Sequence, residues 1–177
     1  MSGLPSLHRR CVLLAALAVA AGARAHQLRP WTRAAPPLAL NDLDGKPWQL
    51  SALQGRAVML NFWATWCEPC REEMPSIEKL HREFAPQGLA VVAISVDDAG
   101  AEQRIRDFVK ELGLSFEILH DPGQVTTRNY QITGYPETFV IARDGTIRRK
   151  LIGAADWSSG ANRALVRELL GQSTASR

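Results

Sequence analysis

The run AVMLNFW at residues 57–63 constrains the fold more than any other stretch. It is almost continuously apolar, which reads as a central strand buried on both faces. A second such run, LAVVAISV, follows at residues 89–96. Between them, over residues 68–84, Met74, Ile77, Leu80, His81 and Phe84 recur at helical spacing and predict a helix with one buried face. Pro75 sits inside that helix and predicts a kink.

The remaining elements alternate in the same way. LALNDLDGKPWQL places two short apolar stretches around Asp44-Gly45, a hairpin signal, and Ser51 is positioned to cap a short turn ending at Gly55. AEQRIRDFVKELG predicts a helix with Ile105, Phe108, Val109 and Leu112 on one face, closed by Gly113. SFEIL reads as a strand and GQVTTRNYQI as a short helix. TGYPETFVIARDGTIRRKLIG reads as two strands joined at Asp144-Gly145, and a last helix is predicted from Asp156 to Leu170, with Leu165, Val166, Leu169 and Leu170 apolar. No internal repeat is visible. Strands interleaved with helices imply an α/β domain: a central mixed sheet flanked by helices, with an N-terminal β-hairpin extension.

Upstream of this domain the chain reads as a leader. Arg9 and Arg10 precede an uncharged run from Cys11 to Ala23, and Ala23-Arg24-Ala25 has the small-x-small form of a cleavage site. The run falls short of the roughly 20 apolar residues that span a bilayer as a helix. Residues 1–25 are therefore read as a signal peptide cleaved after Ala25, and a membrane association is expected only if the leader is retained as an anchor. Cys11 follows two arginines, the wrong setting for a lipoprotein cysteine, and reads as a hydrophobe of the leader. HQLRPWTRAAPP, residues 26–37, is rich in Pro and Arg without periodicity and reads as an extended linker. Residues 38–172 then form the domain and 173–177 a tail.

Removing the leader changes the bulk statements. It takes away Arg9, Arg10 and Arg24 and no acid, leaving 18 basic residues of the original 21 against 18 acidic ones. The mature chain is close to neutral, so the basic character of the whole gives no support for nucleic-acid binding. Two cysteines remain, Cys67 and Cys70, both in one CxxC. A periplasmic or extracytoplasmic setting permits them to form a disulfide.

A structural staple, a metal site and a redox couple are the three readings of that pair. A loop of four residues constrains the unfolded chain little, so the pair is a poor staple. Zinc needs two more ligands, and the mature chain offers only His26, His81 and His120, far apart in sequence. No metal or other cofactor is expected, and the redox reading leads. Cys67 at the helix N-terminus meets unpaired N–H groups and the positive end of the macrodipole, which lower a thiol pKa. It is predicted to be the exposed attacking thiol. Cys70, one turn in, is placed to resolve the mixed disulfide. Pro69 needs no N–H at the helix start and stiffens the turn, and Trp66 is placed to shield the sulfurs.

NFWATWCEPCREEMP together with GYPETF resembles the thioredoxin superfamily, and within it the TlpA/ResA/CcmG group of extracytoplasmic thiol-disulfide oxidoreductases. The resemblance covers most of the mature chain and implies a thioredoxin-like fold. It implies a cis-proline at Pro136 facing the cysteines, with the backbone of Tyr135 offering a docking edge to an extended client segment. Thioredoxins carry a buried aspartate where this chain has Asn61, so another acid must handle the proton. Glu73, three residues beyond Cys70, matches a glutamate of the group; we expect it to be partly buried, with a raised pKa, and to shuttle the Cys70 proton. Strong oxidants of the superfamily place a histidine between the cysteines. Glu68 stands there instead, and its charge disfavours the Cys67 thiolate and makes the couple more reducing.

The resemblance implies a protein disulfide reductase acting on cysteine-containing clients, such as apocytochrome c or metal-site assembly factors, and recharged by a membrane thiol electron donor. Two other readings are weighed. A thiol peroxidase of peroxiredoxin type would carry P-x-x-x-[ST]-x-x-C, whereas this chain has Leu60 and Ala64 at the first two defined positions. A copper-delivery module would need a partner histidine, and His120, read as a loop residue beside Asp121, is the available one.

Overall fold

The computed structural model describes the backbone of residues 29–171 and the side chains of 33–171; the leader and the tail lie outside the described residues. The strands are β1 (Arg29–Ala34), β2 (Ala39–Asp42), β3 (Pro47–Gln49), β4 (Ala57–Trp63), β5 (Leu89–Ser95), β6 (Glu117–His120), β7 (Glu137–Ile141) and β8 (Thr146–Ile152). The helices are α1 (Glu68–Phe84), α2 (Glu102–Glu111), α3 (Val125–Asn129) and α4 (Gly160–Leu169). Both apolar runs form strands in which every residue is buried.

The strands make one mixed sheet in the order β1-β8-β7-β4-β5-β6-β2-β3. β4 lies inside it, parallel to β5 from Ala57↔Leu89 to Trp63↔Ser95 and antiparallel to β7 from Val58↔Ile141 to Phe62↔Glu137. The chain leaves the carboxyl end of β4 directly into α1. In open α/β sheets, sites collect at the strand end where neighbouring connections diverge.

Alternation along β4 divides the core in two. Met59 and Trp63 pack with Met74, Ile77 and Phe84 of α1, Ile105 and Phe108 of α2, and Val166 of α4. Val58, Leu60 and Phe62 face the other way, onto Leu38, Tyr130, Phe139 and Ile147. Trp63 is fully buried against Phe108, ring centroids 4.6 Å apart. Asn61 falls on the α1 face by the same two-residue period, a polar group in an apolar wall.

Helix α1 runs unbroken through Pro75, although that residue supplies no amide to the Arg71 carbonyl. Four sequence readings need correction. Residues 29–34 are not linker: β1 pairs antiparallel with β8, Arg29↔Lys150 to Ala34↔Thr146, with a register shift between Pro30 and Arg33. Edge pairing uses backbone groups and tolerates a proline or a bulge, so it needs no side-chain periodicity. Ser51 lies inside the 3-10 turn Leu50–Leu53, whose N-cap is Gln49. α4 starts at Gly160, capped by Ser159 accepting from the Asn162 N–H, rather than at Asp156. His120 ends β6, paired with Ser95, instead of lying in a loop. No helix among the described residues is long and apolar enough to cross a membrane.

Candidate active site

Cys67 is the N-cap of α1 and Cys70 lies in its first turn, and the two form a disulfide. The Cys70 N–H donates to Cys67 Sγ at 3.2 Å, while the Cys67 carbonyl accepts from the Cys70 and Arg71 amides. The sulfur thus occupies the place of a capping oxygen, among the unpaired donors that stabilise a negative charge. Glu68 and Pro69 complete the turn and are exposed.

Cys67 is less open than the sequence implied: 6% of its surface remains accessible, and Cys70 is fully buried. Capping turns the Cys67 sulfur inward, toward the helix. The exposed aromatic beside the pair is Trp66, 66% exposed. Its ring stands edge-on to Tyr135 with centroids 5.8 Å apart, so it forms a rim with Tyr135 beside the sulfurs.

The Tyr135–Pro136 peptide is cis, as the resemblance implied. Two features bring it to the cysteine loop: the β4–β7 register, which opposes Phe62 to Glu137, and the Trp66–Tyr135 contact. Pro136 is buried and its carbonyl accepts from the Gly153 amide at 2.8 Å.

Glu73 lies deeper than expected, 3% exposed. Its Oε1 accepts from Asn61 Nδ2 at 2.7 Å and its Oε2 from the Ala155 amide at 3.1 Å. Desolvation raises its pKa to about 7, opposed by the Ala155 N–H, the Asn61 amide and the nearby Trp157 indole, which completes no hydrogen bond of its own. Such a carboxyl exchanges its proton near neutral pH. The second hydrogen of Asn61 Nδ2 goes to Thr138 Oγ1 at 2.9 Å, tying Glu73 to the strand that follows Pro136. A cleft of about 290 Å³ is lined by Glu72, Glu73, Ser76 and Ala154 to Asp156.

Sequence reasoning missed the residues that hold the Pro136 loop. Glu137, fully buried, accepts at Oε1 from the Thr133 amide at 3.0 Å and the Thr133 hydroxyl at 2.6 Å, and pairs through Oε2 with Lys150 Nζ at 2.9 Å. An acid opening the apolar run ETFVI and a lysine within the facing strand were the available signals, since buried charges occur in pairs. His120 is also tied down: its Nε2 lies 2.9 Å from the Asp97 carbonyl and its Nδ1 3.4 Å from Glu102 Oε1. Among the described residues no group of three or more His, Cys, Asp or Glu is placed to hold a metal ion.

The AhpC/TSA family matches this chain over residues 32–150. Thiol-disulfide oxidoreductase ResA of Bacillus cereus is 36% identical over 119 residues, 67% of this chain and 68% of that protein. Thioredoxin-like protein YneN of Bacillus subtilis is 40% identical over 120 residues, 67% of this chain and 69% of that one. A solved thiol:disulfide interchange protein of the thioredoxin family from Chlorobium tepidum is 28% identical and matches with a TM-score of 0.68, covering 82% of this chain and 99% of its own. A thioredoxin-like sheet with a CxxC disulfide at a helix N-terminus defines a thiol-disulfide oxidoreductase. The chain belongs to the AhpC/TSA family and is an extracytoplasmic thiol-disulfide oxidoreductase related to ResA, DsbE and TlpA.

Proposed function

We propose that the enzyme works as a protein disulfide reductase. The Cys67 thiolate attacks a client disulfide, forming a Cys67–client bond and releasing one client sulfur as a thiolate that takes a proton. Cys70 gives its proton to the Glu73 carboxylate and its thiolate attacks Cys67 Sγ. The mixed disulfide breaks, the second client thiol leaves, and two electrons have passed to the client. The oxidised pair seen here is the product state, which a membrane thiol electron donor reduces again.

The observation that carries this reading is the asymmetry of the disulfide. Cys67 caps the helix beside the Trp66–Tyr135 rim, while fully buried Cys70 lies one turn from Glu73, whose pKa is raised to about 7. The cis Tyr135–Pro136 segment supports backbone docking of an extended client next to Cys67. Glu68 supports the direction: the couple is expected near the thioredoxin value of about −270 mV, and a potential above about −180 mV overturns the reductant assignment. The PETF sequence at residues 136–139 tilts the client toward apocytochrome c over metal-site assembly factors.

Trapping tests the scheme. A Cys70→Ala variant, incubated with an envelope fraction, should hold clients as mixed disulfides at Cys67 that mass spectrometry identifies. Recovery of no adduct would count against a protein-disulfide substrate, and peroxide consumption with sulfenic acid at Cys67 would reassign the enzyme as a peroxidase.

A further inference from the structure

The segment Ala64–Thr65–Trp66, which carries the chain from β4 into Cys67, is held from the side by a carboxylate that the exchange steps do not use. Asp97, fully buried just past β5, accepts the Thr65 amide at Oδ2 (2.9 Å) and the Thr65 hydroxyl at Oδ1 (2.6 Å). It also accepts the Ser95 hydroxyl at Oδ2 (2.7 Å) and Arg104 Nη2 at Oδ1 (3.1 Å). Arg104 Nε donates to Thr65 Oγ1 at 2.9 Å, so this one hydroxyl is gripped between a carboxylate and a guanidinium.

The Asp97 backbone is fixed as well. Its amide donates to Ser95 Oγ at 3.1 Å, and its carbonyl faces His120 Nε2 at 2.9 Å. Four donors fill the four lone-pair positions of a carboxylate. Burial pushes its pKa up, but the bonds from Thr65, Ser95 and Arg104 outweigh it and hold the group below the usual range, so Asp97 stays ionised at neutral pH.

We propose that Asp97 is the positioning residue for the attacking sulfur: by clamping Thr65 it fixes the loop so that Cys67 caps α1 and Trp66 meets Tyr135. The inference rests on the reading of Cys67 as the attacking thiol. Thr65 lies two residues before Cys67, and the contact it governs, Cys70 N–H to Cys67 Sγ at 3.2 Å, is lost with a small displacement. The contact is seen on the disulfide sulfur, and in the reduced enzyme the same N–H is placed to donate to the Cys67 thiolate, so the clamp sets the reactivity of the sulfur through geometry. Removing the Thr65 hydroxyl changes no charge: Asp97 and Arg104 remain, as do Glu68 and Arg71 on α1. A shift in Cys67 reactivity in such a variant therefore reports position.

The test is alkylation of the reduced full chain across pH, with mass spectrometry assigning which cysteine reacts. Thr65→Val should slow Cys67 alkylation at pH 7 by about fivefold, the equivalent of one net hydrogen bond, and move the midpoint of its pH profile upward. Thr65→Ser, which restores the hydroxyl, should return both to the wild-type profile. Asp97→Asn removes the clamp together with a negative charge whose loss favours the thiolate, so Thr65→Val, which changes no charge, is the deciding variant. A Thr65→Val protein with a wild-type Cys67 profile overturns the proposal, even if its stability falls, because the network is then only a structural brace. First alkylation at Cys70 in the wild type instead overturns the assignment of Cys67 as attacker, and the clamp proposal with it.

Discussion

Two buried carboxyls sit on either side of the disulfide, and their pKa values are shifted in opposite directions. Glu73, 3% exposed, serves the Cys70 side; Asp97, fully buried, serves the Cys67 side through Thr65. The donors that reach Glu73 are neutral, an amide side chain and a backbone N–H, and desolvation dominates: its pKa rises to about 7. Asp97 is desolvated too, less deeply than Glu73, and receives two hydroxyls, a backbone N–H and a guanidinium, and its pKa falls. Whether a buried carboxyl keeps its proton is decided by its desolvation weighed against its donor set, and the charged, fuller set wins at Asp97. One group is free to give and take a proton during exchange, and the other is a fixed charge that anchors a loop.

The comparison breaks first at Asp97. Replacing it with alanine leaves Arg104 Nη2, the Ser95 hydroxyl and both Thr65 donors without this acceptor, and the variant should lose roughly 3 kcal/mol in urea unfolding. Because its folded pKa is depressed, the stability that Asp97 contributes is present above its unfolded pKa and is lost as pH falls through the folded value. The acid limb of the stability curve should therefore be shallower in Asp97→Asn than in the wild type.

Glu73 should show the reverse sign. Its folded pKa is raised from 4.5 to about 7, so the folded state keeps a proton that the unfolded state has lost. Stability then declines as pH rises through that window, reaching a deficit of about 3 kcal/mol above pH 7. Glu73→Gln should flatten that slope in unfolding curves taken across the window, whatever its effect on absolute stability. The same variant should slow resolution of a Cys67 mixed disulfide by roughly a hundredfold, the low end for losing a positioned acid-base group. Unchanged Cys70 titration in it would remove Glu73 from the mechanism.

Smaller effects sharpen the contrast. Asn61→Ala removes a donor that favours the Glu73 carboxylate, so the Glu73 midpoint should move up by about one unit, readable by NMR titration. Arg104→Gln withdraws the guanidinium donors to Asp97 and Thr65 at a largely exposed side chain, and its cost should stay below about 1 kcal/mol in the same urea assay.

Much of this was legible in the sequence because it is local. Residues 57–63 and 68–84 became β4 and α1 at those bounds, since a doubly buried strand and a one-faced helix leave unambiguous periods. Cys67, Cys70 and Glu73 share one helical segment, so their spacing placed them together. The cis peptide at Pro136 came from the resemblance; spacing alone does not separate it from a trans turn. What was missed is nonlocal or backbone-borne. Asp97 meets Thr65 across 32 residues, Glu73 meets a backbone amide at Ala155, and β1 joins β8 by main-chain pairing that no side-chain pattern announces. His120 looked like a loop residue because its strand is four residues long and its pairing with Ser95 lies in another element.

The division of labour between the two carboxyls is tested most directly by following the side-chain carboxyl carbons of Glu73 and Asp97 in one 13C NMR pH titration of the oxidised enzyme. The account predicts a Glu73 midpoint near 7 and an Asp97 midpoint below the ordinary aspartate range. A Glu73 midpoint near 4.5, or an Asp97 that takes up its proton in the neutral range, would contradict it.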